Sequence, residues 1–156
     1  MNGCDWRGRD GRVERNAVLN QIIPHLNDGI DKNAPSVLVV DDNADNRLII
    51  RTILEDQYEI LEFSSGIEAI EGFRKDKPDV VILDISLPEM DGTEILRRIR
   101  DDFQLHDLPV IALTAHAMVG DREKYLAAGF NDYVAKPILD MNVLFSTIQR
   151  WENSRP

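Results

Sequence analysis

The sequence predicts a three-layer α/β fold with a parallel five-stranded sheet. Several short apolar runs, such as Val80-Val81-Ile82-Leu83, are bounded by turn-forming residues, which is typical of strands buried on both faces of a parallel sheet. Segments with helical spacing of apolar residues separate these runs, so strands and helices alternate. The apolar runs also end in polar residues, and open α/β sheets bind their ligands at that edge.

The composition is that of one globular domain. The 156 residues are 43% hydrophobic and 29% charged, which suffices for a single hydrophobic core. A net charge of −10 argues against a nucleic-acid-binding surface. The single cysteine excludes an internal disulfide framework, and no apolar run approaches the roughly 20 residues of a membrane span. Because the N-terminus also lacks an apolar signal-peptide stretch, we expect a cytoplasmic protein.

A change of charge separates the first 34 residues from the rest. Residues 1–34 contain five basic and five acidic residues, so the whole net charge of −10 falls on residues 35–156. Residues 10–26 have only weak helical spacing, which Pro24 and Gly29 end. We therefore predict an N-terminal extension or linker at 1–34, partly helical or disordered, a domain at 35–152 and a C-terminal tail at 153–156.

The first half of the domain contains three predicted strands and two predicted helices. An apolar strand at 36–40 ends at Asp41-Asp42, and a helix follows at 43–57. A strand at 58–63 precedes a second helix, which Ser64 or Ser65 caps and which runs to residue 75. The third strand is the run that ends at Asp84. The helix residues predicted to face the core are Leu48, Ile49, Ile50, Ile53, Leu54, Ile67, Ile70 and Phe73.

The second half repeats the alternation. A helix is predicted at 92–100, followed by an apolar strand at 109–113 that ends at Thr114. The next helix, at 121–128, is closed by Gly129 at the position that favours a left-handed backbone. A short strand at 132–135 ends at Lys136-Pro137, and Asp140 caps a last helix that reaches residue 151.

Polar side chains stand at the carboxyl ends of four predicted strands. They are Asp41, Asp42, Asp84, Thr114 and Lys136. Because these ends share one edge of a parallel sheet, we expect the five groups to converge. Three carboxylates repel one another unless a cation binds, and all-oxygen ligands without Cys or His indicate Mg²⁺, or alternatively Mn²⁺, rather than Zn²⁺. Together with an ammonium and a hydroxyl, such a site suits phosphoryl transfer onto Asp84.

Taken together, these motifs resemble the receiver domains of two-component response regulators. The resemblance covers residues 36–151 and implies a flavodoxin-like (βα)5 fold with strand order 2-1-3-4-5, an order taken over from the family. Leu87 departs from the family, which often has Met there, and should affect only packing. The segments that carry the resemblance are Val37 to Asn43, Asp84 with Leu87-Pro88-Glu89-Met90-Asp91-Gly92, Leu113-Thr114-Ala115 and Asp132 to Pro137.

The resemblance implies a role for each site residue. Asp84 would be the phosphoacceptor, and Mg²⁺ would be held by Asp41, Asp42, Asp84 and the main-chain carbonyl of Ser86. Lys136 would contact the phosphoryl group. Thr114 and Tyr133 would form a conformational switch.

The resemblance also implies a signalling module that is not an enzyme but assists its own phosphorylation and dephosphorylation. Its partners would be a histidine kinase or a His-phosphotransfer protein, and a downstream protein. Binding to nucleic acid or to a membrane is not expected. The resemblance does not decide whether phosphorylation causes the domain to form a dimer. The run at 115–123 resembles receivers of hybrid histidine kinases, so the chain is expected to be either a stand-alone regulator or the receiver of a hybrid kinase.

Two other classes of protein place similar residues at a sheet edge. Metal-dependent phosphatases with an aspartyl nucleophile usually carry a second Asp two positions later as acid and base, but Ser86 occupies that position here. Flavin- or nucleotide-binding modules need a Gly-, Ser- or Thr-rich loop after the first strand. The Asp41-Asp42 pair would repel a phosphate at that point. His106 and His116 are interpreted as loop or surface residues.

Overall fold

The computed structural model describes residues 34–75, 77–115 and 118–153. Strands and helices alternate through this part of the chain, which confirms the predicted α/β class. The strands are β1 Ser36–Val40, β2 Glu59–Phe63, β3 Val80–Asp84, β4 Val110–Thr114 and β5 Asp132–Ala135. The helices are α1 Ala44–Leu54, α2 Gly66–Lys75, α3 Gly92–Asp101, α4 Asp121–Ala128 and α5 Met141–Asn153.

The two ends of the predicted domain organisation lie almost wholly outside the described residues. The extension at 1–34 is described only at Ala34, and the tail at 153–156 only at Asn153. The weak helical spacing at 10–26 and His116 also lie outside the described residues. None of the helices in the described ranges is long and apolar enough to span a membrane.

All neighbouring strands are parallel, and the sheet order is β2-β1-β3-β4-β5. This is the predicted flavodoxin-like order 2-1-3-4-5. The chain moves from β1 to β2 on one side and then to β3 on the other, so a crevice opens at the carboxyl ends of β1 and β3. Val40 pairs with Leu83 and Asp84 pairs with Leu113. The residues that follow β1 and end β3 are therefore level with each other.

The core has one cluster on each face of the sheet. Every residue of β1, β3 and β4 is buried, which explains why these strands are nearly continuous apolar runs. On one face they pack against α1 and α5 through Ile50, Leu54, Leu144 and Ile148. On the other face they pack against α2, α3 and α4 through side chains that include Phe73, Ile95, Leu96, Ile99 and Tyr125.

Three predicted core residues are exposed, and the prediction was wrong for each of them. Leu48 is 49% exposed, Ile49 is 42% exposed and Ile67 is 53% exposed. Helix geometry explains the difference for Leu48 and Ile49, because successive residues are turned by about 100°. When Ile50 and Leu54 face the sheet, the adjacent residues of the same apolar run must point away from it.

Side-chain caps start α1 and α3, the helices that follow β1 and the loop after β3. Asn43 accepts hydrogen bonds from the backbone N–H groups of Asp45 and Asn46 at 2.8 and 3.3 Å. Asp91 accepts from the N–H of Glu94 at 3.0 Å, and the hydroxyl of Thr93 lowers the pKa of Asp91 by donating to its carboxylate. These caps satisfy backbone donors that a helix start otherwise leaves without partners.

Candidate functional site

Three carboxylates meet where β1 and β3 end. Asp41 follows β1 directly, Asp42 comes next, and Asp84 is the last residue of β3. One oxygen of each lies within 4.8 Å of the others. The carboxylates of Asp41 and Asp84 are 0% and 2% exposed, whereas Asp42 lies on the exposed rim. Two negative groups are therefore held out of water and a third closes the cluster from outside.

Asp41 is held in place by the first turn of α1. Its Oδ1 accepts a hydrogen bond from the backbone N–H of Asn43 at 2.8 Å, and its Oδ2 accepts from Asn46 Nδ2 at 3.2 Å. Burial raises the pKa of Asp41; the Asn43 hydrogen bond opposes this rise and the nearby charge of Asp84 adds to it. The environment therefore disfavours a bare carboxylate at this position and favours a positive ion beside it.

Two residues of this turn belong to the site although they were not predicted from the sequence. Asn46 contacts the Asp41 carboxylate, and Arg47 Nη1 donates to the Asp41 carbonyl oxygen at 2.6 Å. Arg47 also lies 3.6 Å from Glu62 on β2. The signal in the sequence was an amide and a guanidinium in the first turn of the helix that follows an acidic pair.

Lys136 supplies the positive charge that faces the two buried carboxylates. Its Nζ lies 3.1 Å from Asp84 Oδ2 and 3.7 Å from Asp41 Oδ2, and its side chain is only 18% exposed. The backbone N–H of Lys136 donates to the carbonyl of Thr114 at 2.7 Å, which ties the end of β5 to the end of β4. One ammonium among three carboxylates leaves the cluster with an excess of negative charge.

The loop after β3 folds back over Asp84. The backbone N–H of Ser86 donates to Asp84 Oδ1 at 2.9 Å, and the N–H of Gly92 donates to the carbonyl of Ile85 at 3.0 Å. A Cβ added at Gly92 would lie 2.8 Å from the carbonyl oxygen of Asp84 and 2.9 Å from the Cα of Ile85. The close approach of α3 to the end of β3 therefore requires glycine at position 92.

Thr114 lies at the same edge, and its side chain contacts Tyr125, which was not predicted from the sequence to belong to the site. Its hydroxyl forms a buried hydrogen bond with the hydroxyl of Tyr125 on α4, at 2.9 Å. Tyr133 is half-buried on β5, and its ring centroid lies 6.0 Å from that of Tyr125. Tyr125 is thus placed between the two residues predicted to form a switch, and no local pattern marked it as more than a helix residue.

The cluster of carboxylates is suited to a small divalent cation. Mg²⁺ binds oxygens at about 2.0–2.1 Å, so two oxygens on one ion lie at most about 4.2 Å apart. One carboxylate oxygen from each of the three residues lies within 4.8 Å of the others, and an ion bound between them would draw these oxygens closer together. No Cys or His takes part in the cluster among the described residues, and an all-oxygen set fits Mg²⁺ better than Zn²⁺.

Comparison with protein families gives a match over most of the chain. The model of the response regulator receiver domain matches residues 37–149. A curated relative, the polar-differentiation response regulator DivK of Brucella ovis, is 41% identical over 104 residues. That match covers 66% of this chain and 85% of DivK.

Solved structures of similar fold include receivers from kinases and from chemotaxis. The receiver domain of a sensor histidine kinase from Pseudomonas aeruginosa, described with a magnesium ion coordinated in its active-site cleft, is 37% identical with a TM-score of 0.69. It covers 78% of this chain and 99% of its own. The chemotaxis protein CheY4 of Vibrio cholerae is 30% identical with a TM-score of 0.69, covering 75% and 98% of the two chains.

Proposed function

This chain belongs to the response regulator receiver domain family of two-component systems, and from that premise we propose that Asp84 accepts a phosphoryl group. The observation that carries the proposal is the position of Asp84, buried at the end of β3 with Lys136 Nζ 3.1 Å from its Oδ2. A carboxylate oxygen of Asp84 attacks the phosphorus of a phosphohistidine; the P–O bond forms, the P–N bond breaks and the imidazole leaves with the bonding electrons. The product is an aspartyl phosphate.

Asp41, Asp42 and Asp84, with the main-chain carbonyl of Ser86, are proposed to hold Mg²⁺, or Mn²⁺ in its place. The support is the cluster of three carboxylates within 4.8 Å and the burial that raises the pKa of Asp41. When bound, the cation neutralises charge on the transferring phosphoryl group. Asn43 and Asn46 keep the Asp41 carboxylate oriented through hydrogen bonds to its two oxygens.

Lys136 is proposed to contact the phosphoryl group after transfer. Its ammonium already lies beside Asp84, and the backbone bond from Lys136 to the Thr114 carbonyl limits how far the residue can move. A fixed positive charge at this point stabilises the equatorial oxygens on which negative charge develops. Because Ser86 stands two positions after Asp84, no carboxylate is placed there to activate water, which favours a stored aspartyl phosphate over rapid turnover.

Thr114 and Tyr133 are proposed to report the phosphorylated state. Phosphorylation adds about −1.5 to −2 charges at Asp84, and the Thr114 hydroxyl can donate to the new oxygens. The readout is a changed docking face built from α4, β5 and α5. A histidine kinase or a His-phosphotransfer protein supplies the phosphoryl group, and a downstream protein binds the altered face.

Mass spectrometry after treatment with acetyl phosphate and Mg²⁺ tests the assignment of Asp84. We expect one added phosphoryl group in the wild type and none in Asp84→Asn. Asp132→Asn is the matched control, because Asp132 is another buried aspartate, 8% exposed, at the beginning of β5 and so away from the carboxyl edge. Unchanged labelling of Asp84→Asn would refute the assignment. Sustained hydrolysis of a generic phosphate ester would instead favour a phosphatase.

A further inference from the structure

Tyr125 makes a contact that the proposed reaction does not use. It lies on α4, is 6% exposed, and its hydroxyl is 2.9 Å from Thr114 Oγ1. Its ring packs edge-on against Phe130, with centroids 6.3 Å apart, and in a tilted arrangement against Tyr133. A buried tyrosine hydroxyl that faces the strand-end threonine therefore sits within an aromatic cluster that includes Tyr133.

The hydrogen bond to Tyr125 places the Thr114 hydroxyl on the α4 side of the sheet. Side chains alternate along a strand, so Thr114 lies on the same face of the sheet as Ala112, which packs in the core cluster of α2, α3 and α4. On β3, Asp84 lies on the opposite face of the sheet, the same face as Ile82, which packs in the other core cluster. To donate to a phosphoryl group on Asp84, Thr114 must turn out of this face towards the edge of the sheet, and its oxygen then leaves Tyr125.

We propose that Tyr125 is a positioning residue that holds Thr114 in the resting conformation and thereby sets how readily the domain is activated. This inference rests on the proposed function, since it needs Thr114 to act on a phosphoryl group at Asp84. Two conformations compete for one hydroxyl: in the resting state it bonds to Tyr125, and in the activated state it bonds to the phosphoryl oxygens. A residue that stabilises only the resting state lowers the population of the activated one.

The same residue links Thr114 to the docking face. Tyr125 and Tyr133 have ring centroids 6.0 Å apart and an interplanar angle of 42°. When Thr114 turns towards the phosphoryl group, its hydrogen bond to Tyr125 is lost, and the Tyr125 ring shifts against the ring of Tyr133 on β5. Tyr125 therefore transmits the movement of Thr114 to the strand that carries Tyr133, through direct ring contact.

Titration of the Mg²⁺-loaded full chain with beryllofluoride, a phosphoryl mimic, followed by NMR, tests the inference. Tyr125→Phe keeps the ring and removes only the hydroxyl. We expect it to bind beryllofluoride about five-fold more tightly than the wild type, which corresponds to ~1 kcal/mol, the net contribution of one hydrogen bond. In a Thr114→Ala background the same substitution should change the affinity by less than about 1.5-fold, because the two residues then no longer interact.

Tyr58→Phe is the matched control. The hydroxyl of Tyr58 also forms a hydrogen bond with a side chain: it donates to Glu152 Oε2 at 2.8 Å, between the start of β2 and the end of α5. Its removal should leave beryllofluoride affinity unchanged. In the wild type itself, the ring signals of Tyr125 should shift when beryllofluoride binds, which tests the inference without any variant.

The outcomes separate the inference from the proposed function. A wild type that does not bind beryllofluoride contradicts phosphorylation at Asp84 and, with it, the inference. If the wild type binds beryllofluoride and Tyr125→Phe binds it equally or more weakly, the inference is overturned but the proposed function is not. The inference is also overturned if Tyr125→Phe changes beryllofluoride affinity equally in the wild-type and Thr114→Ala backgrounds. It is overturned as well if the ring signals of Tyr125 in the wild type do not shift when beryllofluoride binds.

Discussion

Replacing Lys136 by Met should destabilise the metal-free protein at neutral pH by about 3 kcal/mol. Lys136 Nζ lies 3.1 and 3.7 Å from carboxylates of Asp84 and Asp41 that are almost fully buried. Removal of one partner of a buried ion pair costs about 3–5 kcal/mol, because the remaining charge stays buried without compensation. The lower end applies here because the Lys136 side chain is 18% exposed and Asp41 keeps its hydrogen bonds from Asn43 and Asn46.

The loss should depend on pH with a definite sign. Burial already raises the pKa of Asp41 above its ordinary value, and removal of the ammonium raises it further. A carboxyl whose pKa is higher in the folded state binds protons more tightly when folded, so the folded protein loses stability as pH rises through that pKa. The deficit of Lys136→Met is therefore full above the folded-state pKa of Asp41 in the variant, and it shrinks as pH falls through that pKa and Asp41 becomes protonated.

Urea unfolding followed by circular dichroism measures the effect, with EDTA and with Mg²⁺. Mg²⁺ should reduce the deficit, because a bound cation replaces the missing positive charge. Arg150→Met is the matched control: Arg150 lies 3.1 Å from Asp132, but its side chain is 63% exposed, so its removal should cost less than about 1 kcal/mol. Equal losses in the two variants, or a Lys136→Met deficit independent of pH and Mg²⁺, would refute the reasoning.

Two further predictions concern the same edge of the sheet. Asp42→Asn should weaken Mg²⁺ binding about ten-fold in calorimetric titration, because one negatively charged ligand is lost. The free energy of unfolding should change by less than about 0.5 kcal/mol, because Asp42 is exposed. Equal Mg²⁺ affinity of the wild type and the variant would contradict this prediction. Gly92→Ala should destabilise by about 1–3 kcal/mol in urea unfolding and reduce phosphorylation of Asp84, because the new Cβ would lie 2.8 Å from the Asp84 carbonyl; wild-type stability and labelling together would show that the backbone accommodates it.

The fold class and the residues at the sheet edge could be predicted from the amino-acid sequence. Apolar runs such as 80–83 are continuous because the strands are buried on both faces, so they identify a parallel sheet without any structure. The strand order came from the family resemblance and is the order observed. Strand ends are also visible in sequence, and their convergence follows from parallel topology alone. That is why Asp41, Asp84 and Lys136 could be named together before their distances were known.

The buried faces of the helices, and the side-chain contacts between elements, depend on packing and could not be predicted from the sequence. Leu48 and Ile49 belong to the same apolar run as Ile50 but are exposed, because the direction in which a helix meets the sheet is set by packing. The Asn46 contact with Asp41 and the Tyr125 contact with Thr114 join separate elements. Periodicity reports the local backbone, whereas such hydrogen bonds depend on where each helix crosses the end of a strand, and this is determined by the whole core.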